Sequence, residues 1–197
     1  MAYSNWDFEK RITALIIHGF AVAHAATAFT LAQTILGDEL ALTVLTIAMI
    51  ECVARVNDRK WGVADALAVI GVLAGGYVGT RLGVAFIKWI PGLGNGANAA
   101  ATFTTTEILG WIAYTLVKQD KNPSKLTKKE KEELIREAEK LSNDKTGEEL
   151  YGKMSSQDKK KFNALVAQFR RIQREDDAKR EDLIQQISEI VKRYGNL

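Results

Sequence analysis

Long apolar segments alternate with short polar breaks over the first 119 of the 197 residues. Four segments stand out, at about residues 12–36, 40–56, 63–87 and 97–117. A helix needs about 17–25 residues to cross the hydrocarbon core of a bilayer, so each segment is long enough, the second barely. The pattern predicts an all-α polytopic membrane protein with four transmembrane helices arranged as two hairpins. A fully buried, soluble helical bundle is the alternative.

The breaks between the segments have the composition of turns. Residues 37–39 form a short acidic link, which predicts an antiparallel hairpin of the first two helices. A charged loop follows at residues 55–60. The third break contains Pro91, Gly92 and Gly94, where a helix cannot continue because proline lacks the N–H group and glycine favours turn geometry.

The charges of the loops predict an orientation. Basic residues occupy alternate loops: Lys10, Arg11, Arg55, Arg59, Lys60, Lys118 and Lys121. The other loops hold Asp38, Glu39 and a single basic residue, Lys88. By the positive-inside rule both termini are expected in the cytoplasm, as in a multi-pass protein of the cell inner membrane. Acidic residues before the first segment, Asp7 and Glu9, argue against a cleaved signal peptide.

Four glycines follow each other at four-residue spacing in the third segment: Gly71, Gly75, Gly79 and Gly83. In a helix these positions share one face, so they form a groove without side chains, a glycine zipper. Bare backbone allows close packing of membrane helices. The groove therefore predicts helix packing, and we expect a homo-oligomer that fills it.

Two charged residues fall at similar depth within the predicted spans. If the third and fourth helices form a hairpin centred near Gly94, Arg81 and Glu107 lie at the same level. Charged side chains inside a membrane usually have a partner or line a pathway. The leading hypothesis is an Arg81–Glu107 ion pair, within one chain or between neighbours, acting either as a packing clamp or as the constriction of a pore.

The first hairpin contains a second polar group of residues. His24 and Glu51 are predicted at comparable depth, and Glu51 and Arg55 are spaced i,i+4 on one helix face. A histidine beside a carboxylate can carry protons. Histidine on an Ala-rich helix also commonly forms a hydrogen bond between helices. The hydroxyls of the threonines at 102 and 104–106 can bond to the carbonyls of the preceding turn or to another helix, or they can line a water-filled path.

The last part of the chain is far more charged. Residues 1–119 hold 8 of the 27 basic and 8 of the 24 acidic residues, so residues 120–197 hold the other 19 and 16. This part is predicted as a soluble, cytoplasmic helical domain of about three amphipathic helices. The first begins with a capping box at Thr127 and Glu130, the second is capped by Ser155 or Ser156, and the third spans about 177–194. Such helices can form a small bundle, pair with copies of themselves or bind a cytoplasmic partner.

The chain lacks the motifs of common catalytic sites. It has no Walker-type glycine loop, no GxSxG and no HExxH, so no enzyme activity, metal or cofactor is expected. Cys52, the single cysteine, lies in an apolar segment and is predicted as a small buried hydrophobe. Acidic residues are interspersed among the basic clusters of the tail, which favours a solvated face over a nucleic-acid surface.

The order of features in the first 118 residues resembles a known family. Met-Ile-Glu at 49–51, the Ile-Pro-Gly-Leu-Gly turn at 90–94 and Thr-Glu-Ile-Leu-Gly at 106–110 carry the resemblance. The family is the helical, membrane-associated domain of unknown function that follows the G domain in some bacterial Era-like GTPases. No GTPase domain precedes the helices in this sequence, so the resemblance implies membrane association without GTP hydrolysis.

Two functions from different classes follow from these observations. The first is an oligomeric ion channel or pore in the lipid bilayer, with Arg81 and Glu107 near its constriction. The second is a membrane scaffold or adaptor that recruits a cytoplasmic protein through residues 122–197. A soluble or peripheral bundle without either activity is the third possibility.

Overall fold

The computed structural model describes residues 7–31, 39–76, 99–172 and 176–197. Within these ranges the chain is all-α, with eight α-helices and no strand. Part of the predicted glycine groove, one partner of the predicted ion pair and the predicted third turn lie outside the described residues: Gly79, Gly83, Arg81, Pro91, Gly92 and Gly94.

The first four helices come from the apolar part of the chain: α1 (Phe8–Leu31), α2 (Glu39–Val56), α3 (Val63–Gly76) and α4 (Ala99–Lys118). A short 3₁₀ turn at Pro123–Lys125 leads into the remaining four: α5 (Lys128–Ser142), α6 (Thr146–Lys153), α7 (Ser156–Phe169) and α8 (Asp177–Lys192).

One stretch among the described residues, Phe8–Ala28 in α1, is long and apolar enough to cross a membrane. Among the 18 most apolar consecutive residues of this stretch, 61% are buried inside the protein. The apolar stretch of α3, Val63–Leu73, is shorter than a span. A membrane anchor, a signal sequence and the core helix of a soluble protein share the properties of Phe8–Ala28. The all-α class is therefore confirmed, and the four spans stay a prediction.

Local signals in the tail placed its helix starts correctly. The predicted capping box is confirmed, since Thr127 and Glu130 satisfy each other's backbone N–H groups at the start of α5. Ser155 caps α7 by accepting a hydrogen bond from the backbone N–H of Asp158. Helix α6, which has eight residues and no side-chain cap, was not predicted.

The apolar helices run antiparallel to their neighbours. At one end of the α1–α2 pair, the Asn57 side-chain amide donates to the Thr13 hydroxyl over 2.9 Å. At the other end, the His24 ring reaches the α2 backbone. Gly110 of α4 lies directly on Ile17 of α1, and an added Cβ there would come within 2.5 Å of that side chain. One end of the bundle therefore holds the C-terminal ends of α1 and α3 together with the N-terminal ends of α2 and α4.

We call α5, α6, α7 and α8 together the collar, because they pack around the other end of this bundle. Helix α6 packs on α1, α7 and α8 pack on both α1 and α2, and α5 packs on α3 and α4. The Phe162 ring of α7 stacks edge-on against Phe20 of α1, with ring centroids 5.9 Å apart. Residues from both sides of the predicted domain boundary at 119/120 form one buried apolar cluster.

Apart from Glu39, the first residue of α2, the described residues at the end of the bundle that points away from the collar include no Asp, Glu, Lys or Arg. We call it the charge-free end, and it consists of residues 21–31 of α1, 40–50 of α2, 66–76 of α3 and 99–106 of α4. The charged residues of α1 and α4, and Glu51 and Arg55 of α2, lie beside or beyond the collar. With the exception of Glu39, the charged residues that the structure describes in the apolar helices therefore lie in one half of the bundle.

Candidate functional site

The polar residues predicted within the spans are the starting point for a functional site. Glu107, whose predicted partner lies outside the described residues, has its Oε1 3.2 Å from Nδ1 of His18 on α1. Both side chains are mostly buried, at 10% and 14% exposure. The rings of Phe103 from α4 and Tyr151 from α6 lie 5.4 and 5.7 Å from the His18 ring. This pair therefore lies where the collar meets the apolar helices.

His24 makes a helix–helix contact. Its Nε2 lies 3.1 Å from the Leu42 carbonyl oxygen, and the Thr46 hydroxyl is 3.4 Å from the same nitrogen. His24 is fully buried. The structure thus places His24 beside Leu42 and Thr46 rather than beside Glu51, with which it shares a predicted depth. Of the two roles predicted for this histidine, proton transfer and a hydrogen bond between helices, the arrangement corresponds to the hydrogen bond.

Glu51 forms a buried ion pair with a residue of the collar. Its carboxylate accepts a hydrogen bond from the guanidinium of Arg180 on α8, and the two side chains are 6% and 3% exposed. The Arg180 guanidinium carbon also lies 5.8 Å from the centre of the Phe169 ring. Removing two charges from water is costly, and such a pair persists only when both partners are held in place.

A second ion pair runs beside the first with the opposite polarity. Arg55, one turn after Glu51 on α2, pairs with Glu181, the residue after Arg180 on α8. An acidic and a basic residue on each helix thus face the opposite charges on the other. The two side chains of the second pair are 32% and 45% exposed, so water reaches this pair.

Sequence reasoning did not identify Arg180, although one signal was present. Arg180 precedes Leu183, Ile184 and Ile187 with helical spacing and is buried with them on the inner face of α8. A charged residue in that position requires a buried counter-charge. The acidic residues of the apolar segments were the available partners.

The threonines of α4 hydrogen-bond within their own helix. The Thr106 hydroxyl donates to the Thr102 carbonyl over 2.8 Å, and the Thr104 hydroxyl donates to the Ala100 carbonyl over 3.1 Å. Among the roles predicted for this cluster, these bonds correspond to hydrogen bonding of the hydroxyls to carbonyls of the preceding turn.

One described position of the glycine groove, Gly71, is open to its surroundings. Gly71 and Gly75 both lie in α3. Gly71 is exposed, and a Cβ added there would meet no atom within 4 Å. Leu67, one turn earlier on the same face, is 44% exposed. Within the described residues, this face of α3 thus combines a gap and a large apolar side chain.

A separate set of polar contacts holds α8 to α7. The Tyr194 hydroxyl donates to Asp158 Oδ2 over 2.6 Å and accepts from the Ser155 backbone N–H over 3.1 Å. Arg193 Nη1 donates to both oxygens of Asp158, at 3.0 and 3.2 Å. The Tyr194 hydrogen bond, followed by the nearby charge of Arg193, lowers the pKa of Asp158 below its ordinary value.

Cavities between α7 and α8 and at the start of α3 are further candidates for a site. No group of three or more His, Cys, Asp or Glu side chains in ranges 7–31, 39–76, 99–172 and 176–197 is placed to hold a metal ion. An open groove of about 760 Å³ between α7 and α8 has Gln168, Lys179 and Asp182 as part of its lining. A pocket of about 180 Å³ beside the Arg59–Asp120 ion pair is lined by Trp61 and Asp65. Neither lining contains Ser, Cys or His as a nucleophile or base.

Comparisons with known proteins add no relative: no family model matches the chain, and no curated protein or solved structure shows significant similarity to it.

Proposed function

We propose that this protein is a membrane-embedded homo-oligomer that conducts ions, with the charge-free end in the bilayer and the collar in the cytoplasm. The observation that carries the proposal is the separation of charge along the bundle. Four helix ends in which Glu39 is the one charged residue among those described lie together at one end, and the charged helices surround the other. A charged side chain near the bilayer centre costs about 2.5–3.5 kcal/mol, so this separation matches a boundary between lipid and water.

The position of the collar is consistent with the orientation predicted from the loops. The start of α1, the link between α2 and α3 and the end of α4 all lie at the charged end, where Lys118 pairs with Glu9 and Arg59 pairs with Asp120. These segments carry the basic residues that the positive-inside rule assigns to the cytoplasm. Four spans with both termini in the cytoplasm are the arrangement that we propose for the conducting protein.

The exposed face of α3 supports oligomerisation. Leu67 is one of three large apolar side chains exposed among the described residues, and the gap at Gly71 lies one helical turn away. An exposed apolar side chain beside a gap fits the close helix packing of small-residue membrane interfaces. The occupant that we propose is a second copy of this chain.

Membrane insertion is tested with a matched pair of alanine substitutions. Ala26 lies in the charge-free end of α1 and Ala164 lies on the collar helix α7, and both are exposed. We expect Ala26→Glu to release the protein from vesicles during alkaline carbonate extraction, because the new charge would lie in lipid. Ala164→Glu should leave extraction unchanged, because that position remains in water. Equal extraction of the two variants would refute the placement of the charge-free end in the bilayer.

Conduction is tested by ion flux in liposomes that contain the oligomer. We expect Arg81→Ala to change the flux, because Arg81 belongs to the predicted charged belt of the pore. Arg136→Ala, at an exposed position of α5, is the control and should leave the flux unchanged. Intact oligomers that pass no ions would exclude the pore.

The second candidate is a membrane scaffold or adaptor, and one observation favours it. The four described polar residues that were predicted within the spans are each engaged by their own chain: His24 by Leu42, Glu51 by Arg180, Arg55 by Glu181 and Glu107 by His18. Such contacts clamp helices together. A scaffold predicts oligomers that pass no ions and a cytoplasmic partner that is lost on deletion of residues 122–197, while the protein stays in the membrane.

A further inference from the structure

A small pocket lies where two links meet at the charged end of the bundle. One wall comes from the link between α2 and α3, with Arg59 and Trp61, and the other comes from the end of α4, with Asp120 and Lys121. The pocket has a volume of about 180 Å³. Sites for drug-sized ligands and cofactors measure about 300–1,000 Å³, so this pocket suits a smaller molecule.

The charged side chains of the lining are two cations, Arg59 and Lys121, and two carboxylates, Asp65 and Asp120. Arg59 Nη2 lies 2.8 Å from Asp120 Oδ1, and Asp65 Oδ2 accepts one backbone N–H over 3.0 Å. Lys121 Nζ lies 3.6 Å from a carboxylate oxygen of α5. Within the described part of the chain, no contact occupies the second oxygen of either aspartate or the remaining N–H groups of Arg59.

The lining also offers an uncharged donor. The indole N–H of Trp61 has no hydrogen-bond partner among the described residues. Together with the guanidinium and the ammonium group, it gives the pocket three kinds of donor. A tetrahedral phosphate presents oxygens in several directions, and Arg and Lys are the side chains that bind phosphate in proteins. The carboxylates would repel a simple anion, but they accept hydrogen bonds from an ammonium group.

Two aspartates hold the same unusual backbone conformation at the ends of α2 and α4. Asp58 has a φ of 58° and Asp120 has a φ of 53°, in the left-handed region. After each of them, the N–H of the next residue, Arg59 or Lys121, donates to the carbonyl five residues earlier, over 2.9 and 3.0 Å. This is the Schellman motif, whose left-handed position is usually glycine, because a side chain is strained there. Asp120 lines the pocket, and Asp58 is not part of the lining.

We propose that this pocket binds a small zwitterion that carries a phosphate and a primary ammonium group, the chemistry of phosphoethanolamine. Arg59, Lys121 and the Trp61 indole N–H bind the phosphate. Asp65 and Asp120 bind the ammonium group. The site itself is independent of the proposed function, and only the source of the ligand rests on it: a protein in the membrane with this end at the cytoplasmic surface meets the phosphoethanolamine headgroup of a lipid. Soluble phosphoethanolamine is the other source of the same chemistry.

Calorimetric titration of the full chain in dodecyl maltoside tests the site with three probes: O-phosphoethanolamine, inorganic phosphate and ethanolamine. We expect O-phosphoethanolamine to bind about tenfold or more tightly than either of the others, because each of those engages one half of the lining alone. Binding of O-phosphoethanolamine that is absent, or no tighter than that of the better half, overturns the proposal.

Glycine substitutions at the two strained aspartates separate binding from folding. Asp120→Gly removes a carboxylate from the lining, while glycine fits the left-handed backbone. We expect its urea unfolding midpoint to be no lower than that of the parent, and we expect it to bind O-phosphoethanolamine and inorganic phosphate about equally. Asp58→Gly makes the same backbone change outside the pocket and should keep the parent's preference. A preference that survives Asp120→Gly, or that both variants lose, overturns the assignment.

Short-chain lipids identify the source of the ligand. Dihexanoyl phosphatidylethanolamine that binds at least as tightly as O-phosphoethanolamine supports a lipid headgroup, whereas binding of O-phosphoethanolamine alone supports a soluble source. Dihexanoyl phosphatidylglycerol lacks the ammonium group, and equal binding of the two lipids would overturn the role of the aspartates. Alkaline carbonate extraction separates the two proposals. A protein that is extracted but prefers O-phosphoethanolamine refutes the membrane placement alone, and one that stays in the membrane without this preference refutes the pocket alone.

Discussion

Two alanine substitutions in one short helix test whether the collar rests on α1. Gly147 and Gly152 both lie in α6, which has eight residues. A Cβ on Gly147 would lie 2.6 Å from the Ala14 carbonyl oxygen and 2.9 Å from the His18 Cβ, whereas a Cβ on Gly152 would meet no atom within 4 Å. The same substitution therefore meets the α1 backbone at one position and open solvent at the other.

The two substitutions are expected to change the free energy of unfolding in opposite directions. Ordinary contact begins at 3.4 Å, so the Gly147→Ala side chain falls 0.8 Å short of it, and the obstacle is backbone that cannot rotate away. Overpacking of this kind costs about 1–3 kcal/mol. Replacing glycine by alanine within a helix gains about 0.5–1 kcal/mol. We expect Gly147→Ala to lower the free energy of unfolding by about 1–2 kcal/mol and Gly152→Ala to raise it by about 0.5–1 kcal/mol.

Equilibrium urea unfolding in mild detergent, followed by circular dichroism, measures both variants against the parent protein. Hydrogen exchange of α6 provides the local readout, because displacement of this helix should increase exchange from 146 to 153 in Gly147→Ala alone. If both alanines stabilise the protein equally, α6 does not lie against α1 and the description of the collar is wrong.

Three further predictions follow from particular contacts. Arg180→Met leaves Glu51 buried without its partner and should cost about 3–5 kcal/mol in unfolding free energy, most of which Arg180→Met with Glu51→Leu should recover, as measured by urea denaturation. Tyr194→Phe removes the main cause of the lowered Asp158 pKa and should raise that pKa in a carboxyl NMR titration. Because the pKa of Asp158 is lowered in the folded state, its contribution to stability is present above the pKa of the unfolded chain and is lost as the pH falls through the folded-state pKa. The loss of unfolding free energy in Tyr194→Phe should therefore be present at pH 7 and absent at a pH below the folded-state pKa, and an equal loss at both pH values would contradict this. Gly71→Ile fills the gap on α3 and should reduce the oligomer mass in light scattering, whereas Gly152→Ile should not; an unchanged mass in both would exclude α3 as the interface.

The helix starts of the tail could be predicted because the signals are local. A capping box at Thr127 and Glu130 and a serine cap at Ser155 involve residues three apart, whose spacing alone fixes the geometry. Helix α6 escaped prediction because its eight residues include two glycines, Gly147 and Gly152, and its start lacks a side-chain cap. It is positioned by packing, since Gly147 allows the backbone of α6 to approach α1.

The partners of the polar residues could not be predicted, because they come from distant parts of the chain. Glu51 and Arg180 are 129 residues apart, and His18 and Glu107 are 89 apart. Comparing depths within the predicted hairpins placed His24 and Glu51 at the same level. That comparison did not include the helices of the collar. In the structure, a helix from the tail supplies the counter-charge of Glu51.

The sequence by itself determined most of the residues that form helices, where several of those helices begin and which part of the chain carries most of the charge. Those properties depend on neighbours within one or two turns and on the preference of each side chain for water or an apolar medium. Only the tertiary structure decided that the amphipathic helices of the tail cover α1 and α2, and that the charged residues of the apolar segments pair with the collar. Such contacts depend on the path of the whole chain, because an apolar helix face can be covered by lipid, by another copy or by its own tail, and the hydrophobic effect alone does not distinguish among them.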